Sequence, residues 1–275
     1  MRIIKGKTPR ARRIMIIGPP GIGKTTAAAS APKAVILATE DGCDDIGCDR
    51  TPLLQTMAEF DTALMELGTG DHGYRTVVVD SIDWLERLIW QQVCDDANKT
   101  SVKTIEDIGY KKGYIFAMKY WDATIAKLDR LRLGKNMSVI LVSHSKTAKV
   151  DPPDGESYTR YEPALHPNAA ALIREWCDEV LFANYKVFSA PTGEGFNKRN
   201  LAVGGDERVF HTCEKPSHLA KSRIDMPDEI PLSWESYAGY VRAAYEGYKS
   251  ENNNNINGIV VDGSSKPKTE KKDNG

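Results

Sequence analysis

Eight residues near the amino terminus combine glycines with a lysine and a threonine at a spacing suited to phosphate binding. They are Gly18, Pro19, Pro20, Gly21, Ile22, Gly23, Lys24 and Thr25. Their order fits the pattern G-x-x-x-x-G-K-[ST], in which backbone N–H groups surround phosphate oxygens, the lysine reaches the β- and γ-phosphates and the hydroxyl binds Mg²⁺. An apolar run precedes the pattern and a helix follows it, which disfavours a chance glycine-rich turn. We therefore predict a nucleoside triphosphate site that also includes Thr26.

An aspartate, Asp80, closes the apolar run at residues 76–79. A carboxylate at the carboxyl end of a central parallel strand faces the ligand crevice of an open α/β sheet. There it can hold Mg²⁺ through a water molecule. The alternative is an N-cap for the next helix, for which the neighbouring Ser81 is the better candidate. The two roles are compatible, and we predict a magnesium site at Thr25 and Asp80.

Two further polar side chains follow apolar runs. Glu40 comes after residues 34–38 and could activate the water that attacks the γ-phosphate. The alternative is an ordinary loop carboxylate, and the adjacent Asp41 competes for the role. His144 comes after residues 138–142 and could sense the γ-phosphate, although a lone histidine after a strand is more often structural. The residues alone leave both roles open.

The elements that would position these groups alternate between strands and helices. Continuous apolar runs at residues 13–17, 34–38, 76–79 and 138–142 are typical of parallel strands covered on both faces. Helical periodicity fills the gaps between them. We therefore predict a doubly wound α/β fold, with a mostly parallel sheet flanked by helices.

The pattern changes after residue 175. Residues 179–189, 200–203 and 208–212 have the composition of strands, with turn residues between them, and would add antiparallel strands at the C-terminal side of the sheet. A last amphipathic helix covers residues 234–248. Residues 251–275 are polar and predict a disordered tail. The predicted organisation is thus an ATPase-type domain at residues 1–250 and a tail at 251–275.

Bulk composition limits the remaining possibilities. The chain has 275 residues, 41% of them hydrophobic, which is enough for one sizeable core. Its net charge of −1 gives no global excess of basic residues, so any contact with nucleic acid must come from local segments. Five scattered cysteines argue against a disulfide framework. The sequence has no apolar run long enough for a membrane span, which favours a cytoplasmic location without membrane contact.

Taken together, these residues resemble the RecA-like branch of the P-loop ATPases. That branch places a catalytic glutamate after its second strand, where Glu40 lies, and ends its third strand in the way that Asp80 ends the third run here. The segment that contains His144 resembles the sensor position of RecA and of bacterial RadA. The resemblance implies ATP as the nucleotide, with Lys24, Glu40 and His144 as catalytic residues.

The segment 220–223 resembles the Lys-x-Arg element of RadA and of the DnaB-type replicative helicase. In those families the lysine and the arginine reach into the ATP site of the neighbouring subunit. The resemblance therefore implies that Lys221 and Arg223 act in trans, and that the active protein is an oligomer.

More closely, residues from about 4 to 248 resemble the phage-encoded RecA-like nucleotide-binding proteins of the AAA type, a group that includes ATP-dependent single-strand annealing proteins. The resemblance is carried by residues 40–42, 105–114, 220–227 and His144. It implies a Mg²⁺-dependent ATPase of DNA recombination in the cytoplasm of a bacterial host. The implied partners are single-stranded DNA, further copies of the chain in a ring or short filament, and a single-strand-binding or replication protein.

The resemblance also implies where DNA would bind. RecA-like proteins use the loops that follow the third and fourth strands, here residues 98–113 and 145–166. The candidate contacts are Lys111, Lys112, Lys146, Lys149, Tyr158 and Arg160. Basic side chains would contact phosphates and tyrosine would stack on bases. Both segments also contain acidic residues, so a solvated surface of mixed charge is the alternative.

Two other functions share the same core. One is a DnaB-like helicase or translocase motor, and the other is an ATP-dependent switch directed at a protein partner without DNA binding. Stimulation of hydrolysis by single-stranded DNA would separate the switch from the DNA-directed functions. Unwinding of a forked duplex would separate the motor from annealing.

Overall fold

The computed structural model describes residues 3, 6–192 and 199–246. The predicted tail at residues 251–275 lies outside the described residues. The strands are β1 (Arg13–Gly18), β2 (Ala34–Ala38), β3 (Asp49–Arg50), β4 (Thr76–Asp80), β5 (Ser138–Val150), β6 (Tyr158–Pro163), β7 (Glu179–Thr192), β8 (Arg199–His211) and β9 (Glu229–Pro231). The helices are α1 (Lys24–Ala29), α2 (Met57–Thr69), α3 (Ile82–Asp96), α4 (Lys112–Gly134), α5 (Pro167–Trp176) and α6 (Trp234–Tyr245), with a 3₁₀ turn at Ile105–Asp107.

The strands of the main sheet follow the order β3-β2-β4-β5-β1-β7-β8-β9, and β6 lies off this path and pairs with β5. The pairs from β3 across to β7 are parallel, whereas β8 and β9 are antiparallel to their neighbours. This mostly parallel sheet with antiparallel strands at the C-terminal side confirms the predicted P-loop α/β fold class. Because β5 lies between β1 and β4, the phosphate-loop strand and the Asp80 strand flank it on either side.

Both faces of the central strands are buried, which explains their uninterrupted apolar sequences. In β1, Met15 and Ile17 pack under α2–α5, whereas Ile14 and Ile16 pack under α1 and α6. Alternate residues therefore enter two separate cores. Because these strands are parallel, the carboxyl ends of β1, β2 and β4 lie beside His144 of β5 at one edge, which carries the candidate functional site.

Two segments differ from the predictions. The run predicted to end at residue 142 continues as β5 to Val150. Residues 145–150 of β5 pair with β6 in an antiparallel hairpin. The segment predicted as a loop at 145–166 is therefore mostly a hairpin, held by backbone hydrogen bonds rather than by an apolar core. The segment predicted as a loop at 98–113 contains the 3₁₀ turn and the first residues of α4.

The C-terminal region also departs from its predicted boundaries. Two predicted strands, at residues 200–203 and 208–212, are one strand, β8, which pairs along β7 with a register irregularity between Tyr185 and Val187. Helix α5 was not predicted, although Pro167 at its first turn and the buried Ala169, Ile173 and Trp176 mark it. Among the described residues no helix has the length and apolar composition needed to cross a membrane.

Candidate functional site

The phosphate loop joins the end of β1 to the start of α1, and glycine is required at several of its positions. A Cβ on Gly18 would lie 2.5 Å from the carbonyl oxygen of Ala183 on β7, so a larger residue cannot fit without a shift. Gly21 and Gly23 adopt φ angles of 74° and 107°, which side-chain-bearing residues rarely adopt. The chain therefore turns sharply at this point before α1 begins at Lys24.

The side chain of Lys24 is held inside the loop. Its residue is 6% exposed, and Nζ donates to the carbonyl oxygen of Pro19 at 2.9 Å. Burial lowers the pKa of Lys24, while the nearby carboxylates of Asp80 and Glu40 counteract this effect. An ammonium group at this place is ready to exchange a backbone carbonyl for phosphate oxygens. Thr25 and the exposed Thr26 follow it in α1.

Asp80 lies at the carboxyl end of β4 and is almost fully buried, with 1% of its surface exposed. Its Oδ1 has no hydrogen-bond partner among the described residues, and the thiol of Cys43 is 3.8 Å from Oδ2. Burial raises the pKa of Asp80, and Thr25 and Lys24 oppose this shift. A buried carboxylate oxygen without a partner fits a hard divalent cation, and Thr25 and Asp80 are the residues that would hold Mg²⁺.

Glu40, His144 and Asp83 form a compact cluster at the same edge of the sheet. Asp83 Oδ2 is 2.9 Å from His144 Nδ1, and Asp83 Oδ1 accepts the backbone N–H of His144 at 3.0 Å. Glu40 Oε2 is 3.7 Å from the same Nδ1 atom. The strand order explains the meeting, because β2, β4 and β5 are neighbours and α3 starts directly after β4.

The cluster perturbs the protonation of each member. The hydrogen bond to Asp83 raises the pKa of His144 above its ordinary value of 6.5. Burial alone would raise the pKa of Asp83, but its hydrogen bonds with His144 outweigh burial and lower it. Burial raises the pKa of Glu40, while Ser81 and His144 oppose the shift. The arrangement places a carboxylate of increased basicity beside a histidine that favours its charged form.

Ser81 occupies the N-cap position of α3, as predicted, but its hydroxyl does not cap the helix. It donates instead to Glu40 Oε2 at 2.9 Å, and Thr39 Oγ1 donates to the Ser81 carbonyl at 2.6 Å. These two bonds fix the chain after β2 against the chain after β4. They select Glu40 rather than Asp41 as the carboxylate that faces the cluster.

The two basic residues of the predicted Lys-x-Arg element, Lys221 and Arg223, have different surroundings in the structure. Lys221 Nζ donates to the carbonyl oxygens of Arg174, Glu175 and Cys177, at 2.9, 3.3 and 2.7 Å, and so caps the carboxyl end of α5. An ammonium group has three donors, and these contacts use all of them. The predicted reach of Lys221 into a neighbouring subunit therefore does not fit its position in the chain. The Arg223 side chain is 52% exposed, with one nitrogen 3.6 Å from Asp178.

The predicted DNA contacts on the β5–β6 hairpin are largely paired within the chain. Arg160 binds Glu162 at 2.7 Å and Glu214 at 2.9 Å. Lys146 donates to the Leu165 carbonyl oxygen, and the exposed Lys149 lies 2.9 Å from Asp151. Tyr158 is half-buried in β6.

Lys111 and Lys112 are exposed where the chain turns into α4, as its N-cap and its first residue. The neighbouring Tyr110 is 96% exposed, and Tyr110 and Lys111 both have a φ of 57°. Left-handed backbone at two consecutive non-glycine residues is strained and occurs more often at functional sites than elsewhere. This turn and the hairpin are the two places where the predicted DNA residues lie.

Two residues at the site were not predicted. Asp83 could have been noticed from its place, because it follows Asp80 by three residues and starts a helix. Arg208 on β8 carries no local signal in the sequence. Its Nη1 donates to the Ile22 carbonyl oxygen at 3.2 Å and lies 3.1 Å from where a Cβ on Gly23 would be. It therefore braces the phosphate loop from the antiparallel part of the sheet.

Comparison with known proteins gives a family for the chain. A family model described as an AAA domain matches residues 10–224, which is more than half of the sequence. Among solved structures, the crystal structure of the RadB recombinase is 13% identical, with a TM-score of 0.39, and the match covers 75% of this chain and 90% of that chain. No curated protein matches. The chain belongs to the AAA domain family.

Proposed function

We propose that this chain is a Mg²⁺-dependent ATPase of the RecA type that acts in phage DNA recombination, where it binds single-stranded DNA and promotes annealing or pairing. The observation that supports the proposal most directly is the meeting of Glu40 and His144 beside Asp80 and Lys24 at one edge of the sheet. A phosphate loop without these groups would suit nucleotide binding alone. A basic carboxylate near the phosphate site suits activation of water.

In the proposed reaction, Lys24 neutralises the β- and γ-phosphates of ATP. Thr25 and Asp80 would hold Mg²⁺, and a bound ion there would offset phosphate charge. Glu40, oriented by the Ser81 hydroxyl, accepts a hydrogen bond from the attacking water and polarises it. Phosphoryl transfer depends chiefly on positioning and electrostatic stabilisation, so the fixed geometry of these side chains is their main contribution.

We assign the intersubunit role to Arg223 alone. Its side chain is 52% exposed, so a neighbouring copy can approach it, whereas Lys221 is held against the end of α5. In a ring or short filament its guanidinium would stabilise the charge on the transferred phosphoryl group. This role requires that turnover, but not ATP binding, depends on the assembly.

For DNA we propose the turn that contains Tyr110, Lys111 and Lys112 as the main contact. The lysines would bind phosphates and the exposed tyrosine would stack on a base, for roughly 1–3 kcal/mol per stacked base. On the hairpin Lys149 remains an exposed basic candidate, although it pairs with Asp151, whereas Arg160 is paired twice and half-buried. Neutralising Lys111 and Lys112 should therefore weaken DNA binding more than neutralising Arg160.

The experiment is a measurement of ATPase rate with and without single-stranded DNA, at low and moderate salt, with Lys24→Ala as the blank. Stimulation that fades with salt supports the proposal. The double variant Lys111→Ala, Lys112→Ala should lose the stimulation and keep the basal rate. Lys33→Ala is the matched control, because Lys33 is exposed and precedes β2 at the opposite edge of the sheet. Hydrolysis indifferent to DNA would contradict the DNA-directed function and leave the ATPase.

The pairing of Arg160 with Glu162 and Glu214 favours one alternative, an ATP-dependent switch directed at a protein. A hairpin of internally balanced charge suits a protein surface better than a polyanion. ATP turnover that does not change when DNA is added would support this switch over the DNA-directed function.

A further inference from the structure

The carboxylate of Asp83 binds His144 at two points. One oxygen accepts the backbone N–H at 3.0 Å, and the other meets ring Nδ1 at 2.9 Å. Asp83 is buried, with 8% of its surface exposed, and it lies in the first turn of α3. Because a single carboxylate engages both the backbone and the ring of one residue, it fixes the side-chain rotamer of His144 as well as the nitrogen that faces the protein.

The position of His144 gives this contact a consequence at the nucleotide site. His144 pairs in register with Gly18, the first residue of the phosphate loop. Its side chain is 25% exposed, so it is accessible from the crevice. With Nδ1 bound to Asp83, Nε2 is the ring nitrogen left to meet a ligand.

Three charged groups face the ring, and they come from different elements. Asp83 approaches from α3, Glu40 from the chain after β2, and Lys24 from α1. Asp83 and Glu40 both lie near the same nitrogen, Nδ1, at 2.9 and 3.7 Å. The shorter contact with Asp83 therefore keeps the imidazole from pairing with Glu40.

We propose that Asp83 is a positioning residue of the ATPase reaction. It holds His144 with Nδ1–H donated to its carboxylate, so that Nε2–H of the imidazolium donates to the terminal phosphate of ATP and Glu40 stays available for water. The inference rests on the proposed ATPase function. Without the charge of Asp83, the imidazole loses the partner that fixes its rotamer and its Nδ1–H, so the contact of Nε2 with the phosphate would be lost.

The first test uses ¹⁵N NMR of the histidine rings in the full chain, with His144→Gln to assign the signals. Asp83→Asn keeps the shape of the side chain and removes its charge. Asp95→Asn is the matched control, because Asp95 is an exposed acid on the same helix. In wild type and control, neutral His144 should carry its proton on Nδ1. In Asp83→Asn the pKa of His144 should fall toward 6.5 and the preference for Nδ1–H should weaken.

The second test adds Mg²⁺ and an ATP analogue that resists hydrolysis. The Nε2 signal of His144 should shift on binding in wild type and control, and not in Asp83→Asn, although all three bind the analogue. Turnover by Asp83→Asn should fall roughly 10- to 100-fold in kcat with little change in KM, since a misplaced catalytic group can lose about that much.

An Asp83→Asn protein whose His144 keeps the wild-type tautomer and analogue response would overturn the inference, whatever its turnover. A wild-type chain that binds the analogue but never hydrolyses ATP would instead refute the proposed function. In that case the nitrogen signals alone decide the role of Asp83, so the two failures are distinguishable.

Discussion

His218→Gln should make the folding of this protein less sensitive to acid. His218 is 4% exposed and its ring stacks on Phe182, with the ring centroids 5.1 Å apart. The centroid of the His211 ring lies 4.4 Å from that of the His218 ring. Its Nε2 is 3.2 Å from the Cys213 carbonyl oxygen, and its Nδ1 is 2.9 Å from the Ser217 hydroxyl. Burial, helped by repulsion from His211, lowers the pKa of His218 to about 4.

The sign of the effect follows from proton binding. An unfolded histidine has a pKa near 6.5, so between pH 6.5 and 4 the unfolded chain binds more protons at this site than the folded chain. The stability due to neutral His218 is fully present above pH 6.5 and is lost as the pH falls toward 4. The loss is about 2 kcal/mol at pH 5 and about 3 kcal/mol in full, at 1.36 kcal/mol for each unit of pKa.

The assay is urea unfolding at pH 7.5 and pH 5 for wild type, His218→Gln and His72→Gln. The last is a control with the same chemical change at a half-buried histidine. Wild type and control should lose about 2 kcal/mol more than His218→Gln between the two pH values. His211 and Lys215, which also face this ring, remain in all three proteins. Equal losses in all three would show that the buried ring accepts its proton without cost and would refute the reasoning.

Three further predictions concern other parts of the chain. Gly18→Ala should destabilise the fold by about 1–3 kcal/mol and weaken ATP binding, because the added Cβ would lie 2.5 Å from the Ala183 carbonyl oxygen. Thermal unfolding and titration with a fluorescent ATP analogue test this. Gly73→Ala is the control, because a Cβ on Gly73 would have no atom within 4 Å. Burial raises the pKa of Glu86 to about 7, so the folded state resists ionisation and loses stability as pH rises from 4.5 through 7. In urea unfolding, Glu86→Gln should therefore lose about 2 kcal/mol less than wild type between pH 5.5 and 8, and equal losses would contradict this. Arg223→Ala should keep its ATP affinity and lose turnover roughly 10³-fold in steady-state assays, and normal turnover would end the idea of an arginine that acts in trans.

The parts of the fold that could be predicted are those whose local sequence reflects their final surroundings. Strands β1, β2 and β4 lie between two layers of helices, so nearly every residue in them is apolar and their ends are marked by polar residues. The phosphate loop could be found because its chemistry is local. Lys24 was marked by the phosphate-loop pattern, and Asp80 by its place at the end of an apolar strand.

The remaining features depend on contacts between distant segments. The outer half of β5 is polar and gains its strand structure from pairing with β6, so no apolar pattern announces it. Asp83 and His144 are 61 residues apart and meet only because β4, which leads into α3, pairs with β5 next to His144. Arg208 braces Ile22 across 186 residues. Lys221 matched a motif, but whether its ammonium group points out of the chain or caps α5 is decided by the placement of α5.

Strand β5 belongs to two sheets, and His144 lies where it passes from one to the other. Up to Val142 its neighbour on one side is β4, and from Ser145 its partner is β6. Two carboxylates of helix α3 bind the chain on either side of the hairpin. Asp83 accepts the His144 backbone N–H before it, and Glu86 accepts the His166 backbone N–H after it, at 2.8 Å. At about 3.3 Å per residue, residues 145–150 of β5 extend about 20 Å beyond His144. A tilt of about 10° at His144 would move the hairpin tip by about 3–4 Å, roughly the distance between stacked bases.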